Sequence, residues 1–142
     1  MIYLASDHAG FTLKEEMRKY LAEKGEAVED LGTHSEESTD YAIYAHKLAE
    51  AIQKNPEAKG IAVCGSGLGI SMALNRHNGI RAARSMSVED AEMTRRHNDA
   101  NVLALSGRQT DTETAKQMVD KFLTTEFEGG RHEARVKNID LK

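Results

Sequence analysis

The sequence predicts an α/β protein: a three-layer α/β/α sandwich on a five-stranded parallel sheet, with a helical tail at the carboxyl end. Short apolar runs alternate along the chain with longer segments whose apolar residues recur every three or four positions, and there are five of each. Alternating strands and helices favour parallel pairing through right-handed crossovers, which place helices on both faces of the sheet. The predicted fold is therefore Rossmann-like.

The first half of the chain supplies three strands and two helices. The predicted strands cover residues 2–5, 27–32 and 60–64, the second being weak, and the helices cover 11–23 and 40–54. The first helix has apolar residues at helical spacing and ends at Lys24-Gly25. The second helix ends at Asn55-Pro56, and its inward face is predicted to comprise Ile43, Ala45, Leu48, Ala49 and Ile52.

The second half continues the alternation. A helix begins near Leu68, strands cover 80–83 and 102–105, and helices cover 87–97 and 111–125. Ser87 is a predicted N-cap followed by acidic residues in the first turn, and either Asp111 or Thr112 caps the next helix. The tail from residue 128 opens with two glycines and is then predicted to be helical.

Composition and charge narrow the function classes. The 142 residues suit a single domain, 1–142, and the formal net charge of −4 argues against a general nucleic-acid binder. The sequence contains no apolar run of membrane-spanning length and no signal-peptide pattern at its start, so we expect no membrane association. A single cysteine cannot form an internal disulfide, which favours a reducing, cytoplasmic compartment.

The glycine-rich loop CGSGLG, residues 64–69, follows the third strand and precedes a helix. Ligands of open α/β sheets bind beyond the carboxyl ends of the strands, where this loop lies. Gly65, Gly67 and Gly69 permit close approach of backbone amides to an oxyanion or phosphate, and the helix start favours negative charge, including a Cys64 thiolate. The alternative is a tight strand–helix turn with an inert buried thiol, in which Ser66 is a cap rather than a hydroxyl donor.

Several known loop types do not fit CGSGLG. The spacing G-x-G-x-G differs from the dinucleotide fingerprint G-x-G-x-x-G, and the loop follows the third strand. A cysteine phosphatase loop needs a closing arginine where Ile70 stands, and the sequence has no second cysteine for a redox pair and no P-loop lysine.

Other polar residues fall at the predicted strand ends or in the tail. Asp7 and His8 follow the first strand and can hold a sugar hydroxyl or ring oxygen, or Asp7 can simply form a turn beside an exposed His8. Arg108 follows the fifth strand, on the same sheet edge. His97 and Asn98 end a helix and can contact a ligand there. Alternatively, His97 simply interacts with the helix dipole and Asn98 forms the turn.

Arg131 and Arg135 are separated by one helical turn, which can clamp a phosphate or merely form a solvated basic face. The six histidines show no metal-ligand spacing, so we expect no required metal or other cofactor.

Taken together, these motifs resemble the ribose-5-phosphate isomerase B family, within the wider group that includes galactose-6-phosphate isomerase. The resemblance covers nearly the whole chain in the family's order: SDHAGF, STDY, CGSGLGIS, GIRAA, RRHNDANVLALSGR and FLTTEFEGGRH. Each motif alone is weak, and the six together are specific.

The resemblance implies a metal-independent aldose–ketose isomerase that interconverts ribose 5-phosphate and ribulose 5-phosphate through an enediolate. It implies that Cys64 is the proton-transfer base and that His97 assists opening of the furanose ring. The oxyanion would be held by the loop residues Gly65, Ser66, Gly67, Leu68 and Gly69, Ser66 contributing its hydroxyl. The other expected substrate contacts are Asp7, His8 and Asn98 for the sugar, and Arg108, Arg131 and Arg135 for the phosphate. Family members are dimers or tetramers with shared sites, so His97 and the arginines are expected to come from a neighbouring subunit.

Departures from the family pattern are few. Ser66 stands where many relatives carry threonine, which keeps the hydroxyl. Some relatives lack the cysteine and have glutamate at the position of Ile70, so Cys64 is the evident base here. Ala42 replaces a frequent proline, with no functional conclusion. Galactose-6-phosphate isomerase subunits tend to lack the HND and EGGRH segments, which argues against that activity.

Three alternatives differ in class. The same mechanism can act on a six-carbon substrate such as allose 6-phosphate. A cysteine-phosphorylated carrier of sugar transport also has a Cys and Gly loop, but after its first strand, and has no use for Arg131 and Arg135. A non-catalytic sugar-phosphate sensor would be expected to lack the base, whereas Cys64 is present.

Overall fold

A computed structural model of the protein describes residues 1–141. The strands are β1 (Ile2–Ser6), β2 (Val28–Asp30), β3 (Lys59–Cys64), β4 (Ala82–Arg84) and β5 (Val102–Ser106). The helices are α1 (Phe11–Glu23), α2 (Tyr41–Lys54), α3 (Leu68–Leu74), α4 (Val88–Asn98), α5 (Thr112–Thr124) and α6 (His132–Lys137). The predicted α/β class, with five strands and a helical tail, is confirmed.

The five strands form one parallel sheet in the order β2-β1-β3-β5-β4. The chain leaves β1 toward β2 on one side, whereas it leaves β3 toward β4 on the other. The carboxyl ends of β1 and β3 therefore border the crevice where parallel α/β sheets bind ligands.

Alternate residues of the central strands pack into two separate cores. Ile61 and Val63 of β3 point into a core completed by α1, α4 and α5, while Ala62 and Cys64 point into a core completed by α2 and α3. Both faces of the sheet are thus covered by helices, as buried parallel sheets require. Among residues 1–141, no helix is long and apolar enough to cross a membrane.

Capping side chains set several helix starts where the sequence places them. Asp40 accepts from the Ala42 N–H at 2.8 Å, Ser87 from the Asp90 N–H at 3.0 Å, and Asp111 from the Thr114 N–H at 2.8 Å. Each side chain satisfies a backbone donor that the first helical turn leaves free. Of the two predicted caps for α5, Asp111 is therefore the one used.

Two details of the sequence prediction are wrong. The fourth strand begins at Ala82 rather than residue 80, because the Ile80 N–H donates to the His77 carbonyl and the Arg81 N–H to the Asn101 side chain. Ile43 was expected to face inward but is 48% exposed. It lies two residues before buried Ala45, which at 3.6 residues per turn puts it on the opposite side of α2.

Candidate active site

Cys64 is the last residue of β3 and is buried, with 3% of its surface exposed. The backbone N–H of Gly67 points at its sulfur, with a distance of 3.2 Å from the nitrogen to Sγ. Gly67 adopts a left-handed conformation with φ of 79°, which turns the chain from the strand into α3. The turn therefore aims a backbone donor at the thiol.

Ser66 stands just before Gly67, the N-cap of α3, and its Oγ accepts a hydrogen bond from the Leu68 N–H at 3.1 Å. A hydroxyl that accepts through a lone pair keeps its proton available for donation. Ser66 is therefore not the N-cap, although it holds the turn into α3, and donation of its hydroxyl proton to a ligand stays a prediction.

Two arginines border the glycine loop. The Nε of Arg84, at the end of β4, donates to the Ser66 carbonyl at 3.0 Å. The guanidinium of Arg108 lies against Gly65, where a Cβ added to the glycine would be 2.9 Å from the Arg108 Cζ. The predicted position of Arg108 on the carboxyl edge of the sheet is confirmed, and Arg84 is an arginine of the loop that sequence reasoning missed.

Asp7 and His8 lie on the same edge. The Asp7 N–H donates to the Val63 carbonyl at 3.2 Å, and the Asp7 Oδ1 accepts from the Gly10 N–H at 3.0 Å. Asp7 thus holds the turn before α1. His8 accepts at Nδ1 from the Thr39 N–H at 3.1 Å, so a neutral imidazole here carries its proton on Nε2 and presents a donor.

The ring of Tyr41 covers the far side of the glycine loop. A Cβ on Gly69 would lie 2.5 Å from the Tyr41 ring, so a larger residue at this position would require the ring to move. The STDY motif contains Tyr41, but no spacing in the sequence connects it with the loop. This contact was missed because it depends on helix packing.

His97 and Asn98 lie at the opposite edge of the sheet, beside the amino ends of β4 and β5. Asp99, with φ of 48°, ends α4 and accepts from Arg95 at 2.8 Å and from Arg81 at 3.3 Å. Asp99 is thus the turn residue of the HND segment, and its two arginines fix the helix end that presents His97 and Asn98.

His132 joins this second group. Its ring stacks on His97 with centroids 4.6 Å apart and planes inclined by 21°. His97, Asn98, His132 and Arg135 line a cavity of about 370 Å³. Desolvation, reinforced by the positive charge of Arg131 and the neighbouring His97, lowers the pKa of His132 below its usual range. His132 was missed as a site residue because its partner is distant in sequence.

The predicted site residues therefore fall into two groups. The carboxyl-edge group comprises Asp7, His8, the loop 64–69 and Arg108, and the amino-edge group comprises His97, Asn98, Arg131 and Arg135. Each strand rises about 3.3 Å per residue, so β5, with five residues, separates the two edges by roughly 15 Å. One copy of the chain does not bring the two groups into contact with a small sugar phosphate.

A possible metal-ligand set, which the sequence spacing did not reveal, overlaps the amino-edge group at His97. Donor atoms of His97, Glu128 and His132 lie within 4.8 Å of one another. Arg131 and Arg135 add positive charge beside these residues, and both lower the pKa of His132. That charge favours an anion over a metal cation, and the expectation of no required metal stays a prediction.

Known sugar phosphate isomerases resemble this chain in sequence over nearly its whole length. The family model described as Ribose/Galactose Isomerase matches residues 2–139. Ribose-5-phosphate isomerase B of Escherichia coli is 45% identical over 138 residues, covering 97% of this chain and 93% of the relative. A putative sugar phosphate isomerase of Rickettsia bellii is 43% identical, covering 98% of this chain and 96% of the relative.

Solved structures of ribose-5-phosphate isomerases are also similar to this chain over nearly its whole length. The ribose 5-phosphate isomerase of Thermotoga maritima superposes with a TM-score of 0.96 at 52% identity, covering 98% of this chain and 96% of that one. The Mycoplasma genitalium ribose-5-phosphate isomerase B, solved with bound ribulose-5-phosphate, gives a TM-score of 0.93 at 40% identity, covering 97% and 92%. With the match to the family model, these likenesses show that the chain belongs to the ribose/galactose isomerase family.

Proposed function

We propose that the protein interconverts ribose 5-phosphate and ribulose 5-phosphate, with Cys64 as the proton-transfer base. The observation that carries the proposal is the buried thiol at the carboxyl end of β3, faced by the Gly67 N–H at 3.2 Å. Relatives named ribose-5-phosphate isomerase B, one of them solved with ribulose-5-phosphate, support the choice of substrate.

The chemistry needs a base beside the reacting carbons and a stabilised oxyanion. In the open-chain aldose, the Cys64 thiolate removes the proton on C2, and the electron pair forms the C1–C2 double bond of an enediolate. The hydroxyl proton on O2 moves to O1, the carbon-bound proton returns to C1, and the C2 carbonyl of the ketose forms. Donors pre-aimed at the developing oxyanion stabilise this intermediate, and the amides of residues 65–69 with the Ser66 hydroxyl supply them.

The amino-edge group supplies the remaining functions from a second copy of the chain. His97 assists ring opening and Asn98 orients the sugar. Arg131 and Arg135 bind the phosphate, together with Arg108. Since Arg108 packs against Gly65 of its own chain, it belongs to the first copy, and the expectation that all three arginines come from a neighbour does not hold for it. This assignment follows from the separation of the two edges, because a site that uses both groups requires two subunits. A homodimer is the smallest assembly that completes it, and a tetramer can be built from two such pairs.

An exposed apolar patch lies beside the glycine loop and suits this contact. It consists of Tyr41 and Ile43 on the first turn of α2 and of Leu68 and Met72 on the first two turns of α3, with exposures from 41% to 66%. Contiguous exposed apolar surface commonly marks a protein interface. We assign the patch to the second copy, since burying it brings another subunit to the carboxyl edge where the site is incomplete.

The test compares wild type, Cys64→Ala and Cys64→Ser on ribose 5-phosphate and allose 6-phosphate. Loss of the base is expected to lower kcat by roughly 10²- to 10⁴-fold for Cys64→Ala, while substrate binding persists. Wild-type turnover in D₂O should incorporate deuterium from solvent into the sugar. Near-wild-type turnover by Cys64→Ala would overturn the base assignment. A higher kcat/KM on allose 6-phosphate than on ribose 5-phosphate would show that the preferred substrate is the six-carbon sugar phosphate.

A further inference from the structure

We propose that Arg84 is a positioning residue that holds the Ser66–Gly67 peptide so that its N–H faces the Cys64 thiol. Arg84 lies at the end of β4, outside every motif that suggested the site. The proposal rests on the proposed role of Cys64 as the base. It concerns the reactivity of the sulfur and not the binding of substrate.

One peptide unit connects the two residues. Its carbonyl, that of Ser66, accepts from the Arg84 Nε at 3.0 Å, and its N–H, that of Gly67, donates to the Cys64 Sγ with N and S 3.2 Å apart. A trans peptide is planar, with its carbonyl and N–H on opposite sides. Fixing the carbonyl on one side therefore fixes the direction of the N–H on the other.

The hydrogen bond from Arg84 also strengthens the donor. A charged group that donates to a carbonyl polarises the amide, and hydrogen bonds in series reinforce one another. The Gly67 N–H consequently becomes a better partner for a sulfur that carries negative charge. Arg84 thus favours the thiolate through the peptide, without touching the sulfur.

Packing holds the arginine in this pose. The Arg84 Cγ would lie 3.1 Å from a Cβ at Gly67, so its stem runs along the turn where no side chain stands. Its Nη2 donates to the Gln109 side chain at 3.3 Å, and its backbone pairs with Ala104 of β5. Because the Ser66 carbonyl points away from the sulfur, the guanidinium occupies the back of the loop.

Three variants distinguish the effect of the hydrogen bond that Arg84 donates from the effect of its positive charge. Glutamine places its Nε2 as many bonds from the backbone as the arginine Nε, so Arg84→Gln keeps a neutral donor, whereas Arg84→Met keeps only the length. Arg76→Met, at an exposed position just after α3, controls for the loss of one positive charge. The chain has one cysteine, so alkylation by iodoacetamide reports on Cys64 alone.

We expect Arg84→Met to slow alkylation at neutral pH and to lower kcat with KM unchanged, each by roughly fivefold, the size of one ordinary hydrogen bond. Arg84→Gln, which restores the hydrogen bond without the charge, should recover part of both losses, and Arg76→Met should match wild type. Equal rates for Arg84→Met and wild type would overturn the proposal, as would equal losses in the Met and Gln variants. Unchanged turnover in Cys64→Ala would instead defeat the proposed function, and the alkylation series would still decide the role of Arg84.

Discussion

His97 stacks on His132, with ring centroids 4.6 Å apart, although the two histidines belong to different helices at the amino edge of the sheet. The contact joins the end of α4 to the start of α6, and a hydrogen bond from the Glu128 N–H to the Arg96 carbonyl at 3.0 Å ties the intervening chain to α4. Arg131 and Arg135 are thereby placed beside His97. These contacts thus hold the start of α6 against the end of α4 and give the amino-edge group a defined geometry.

Arg135→Gln should weaken phosphate recognition. Loss of a charge-assisted hydrogen bond to the substrate phosphate is expected to raise KM roughly 10- to 100-fold, with a smaller change in kcat. Steady-state kinetics, with inorganic phosphate as a competitive inhibitor, measure both effects. Lys137→Gln is the matched control, because Lys137 is exposed on the same helix and pairs with Glu133 at 3.7 Å. Equal KM values for the two variants would remove Arg135 from the site.

Gly67→Ala should damage both folding and turnover. Its φ of 79° is costly for alanine, and the added Cβ would lie 3.1 Å from the Leu105 carbonyl oxygen, which displaces the amide facing Cys64. Gly79→Ala is the control, since Gly79 has φ of 82° but no atom within 4 Å of the added Cβ. Urea unfolding should show a loss of about 1–2 kcal/mol for Gly79→Ala and a larger one for Gly67→Ala. Only Gly67→Ala should lower kcat, and a similar decrease in Gly79→Ala would contradict the role of the loop amide.

Lys14→Met should destabilise the fold. Lys14 is fully buried, and its ammonium donates to both carboxylate oxygens of Asp30 at 2.7 and 2.8 Å. Removing one partner of a buried ion pair typically costs about 3–5 kcal/mol, because the other charge is left without its partner. Asp30 keeps 18% of its side chain exposed, so we expect a loss at the lower end of that range. Asp30→Asn added to Lys14→Met should recover part of the loss in urea unfolding. Lys24→Met breaks the exposed pair with Asp120 and should cost far less stability than Lys14→Met, because solvent screens that pair. Equal losses in the two single variants would refute the buried-pair account.

Glu15 should make stability depend on acid pH. Hydrogen bonds from Arg18, assisted by Lys14, lower the pKa of Glu15 from 4.5 to about 2 in the folded chain. The carboxylate therefore stabilises the fold above about pH 4.5, and this contribution disappears as pH falls through 2. Wild type should exceed Glu15→Gln by about 1 kcal/mol at pH 6 and by almost nothing near pH 2. Glu29→Gln, at an exposed acid, controls for the loss of one negative charge; a wild-type advantage over Glu15→Gln that does not shrink with acid would be inconsistent with this pKa.

Local chemistry in the sequence was enough to predict the alternation of strands and helices and the carboxyl-edge group. Ser87 and Asp111 indicate helix starts through their own side chains, and Cys64 and Asp7 follow strands whose parallel ends must meet. Such features need only neighbours in the chain and the general rules of parallel sheets.

Long-range packing was beyond the reach of the sequence. Tyr41 meets Gly69 because α2 packs on α3, and His132 meets His97 because α6 folds back on α4; neither pair has a spacing that signals it. The start of the fourth strand was misplaced because buried Ile80 looks like a strand residue, although its N–H is used in a turn. The sequence likewise could not reveal how far the two site groups lie apart.

The central claim, a site built from two copies of the chain with Cys64 in one and His97 in the other, is tested most directly by subunit complementation. Cys64→Ala and His97→Ala, each expected to have much lower activity than wild type alone, are unfolded together, refolded as a mixture and assayed on ribose 5-phosphate. A mixed dimer holds one site with both changes and one with neither, so random pairing should restore about a quarter of wild-type activity. A mixture as inactive as its separate components, despite confirmed exchange of subunits, would contradict the shared site.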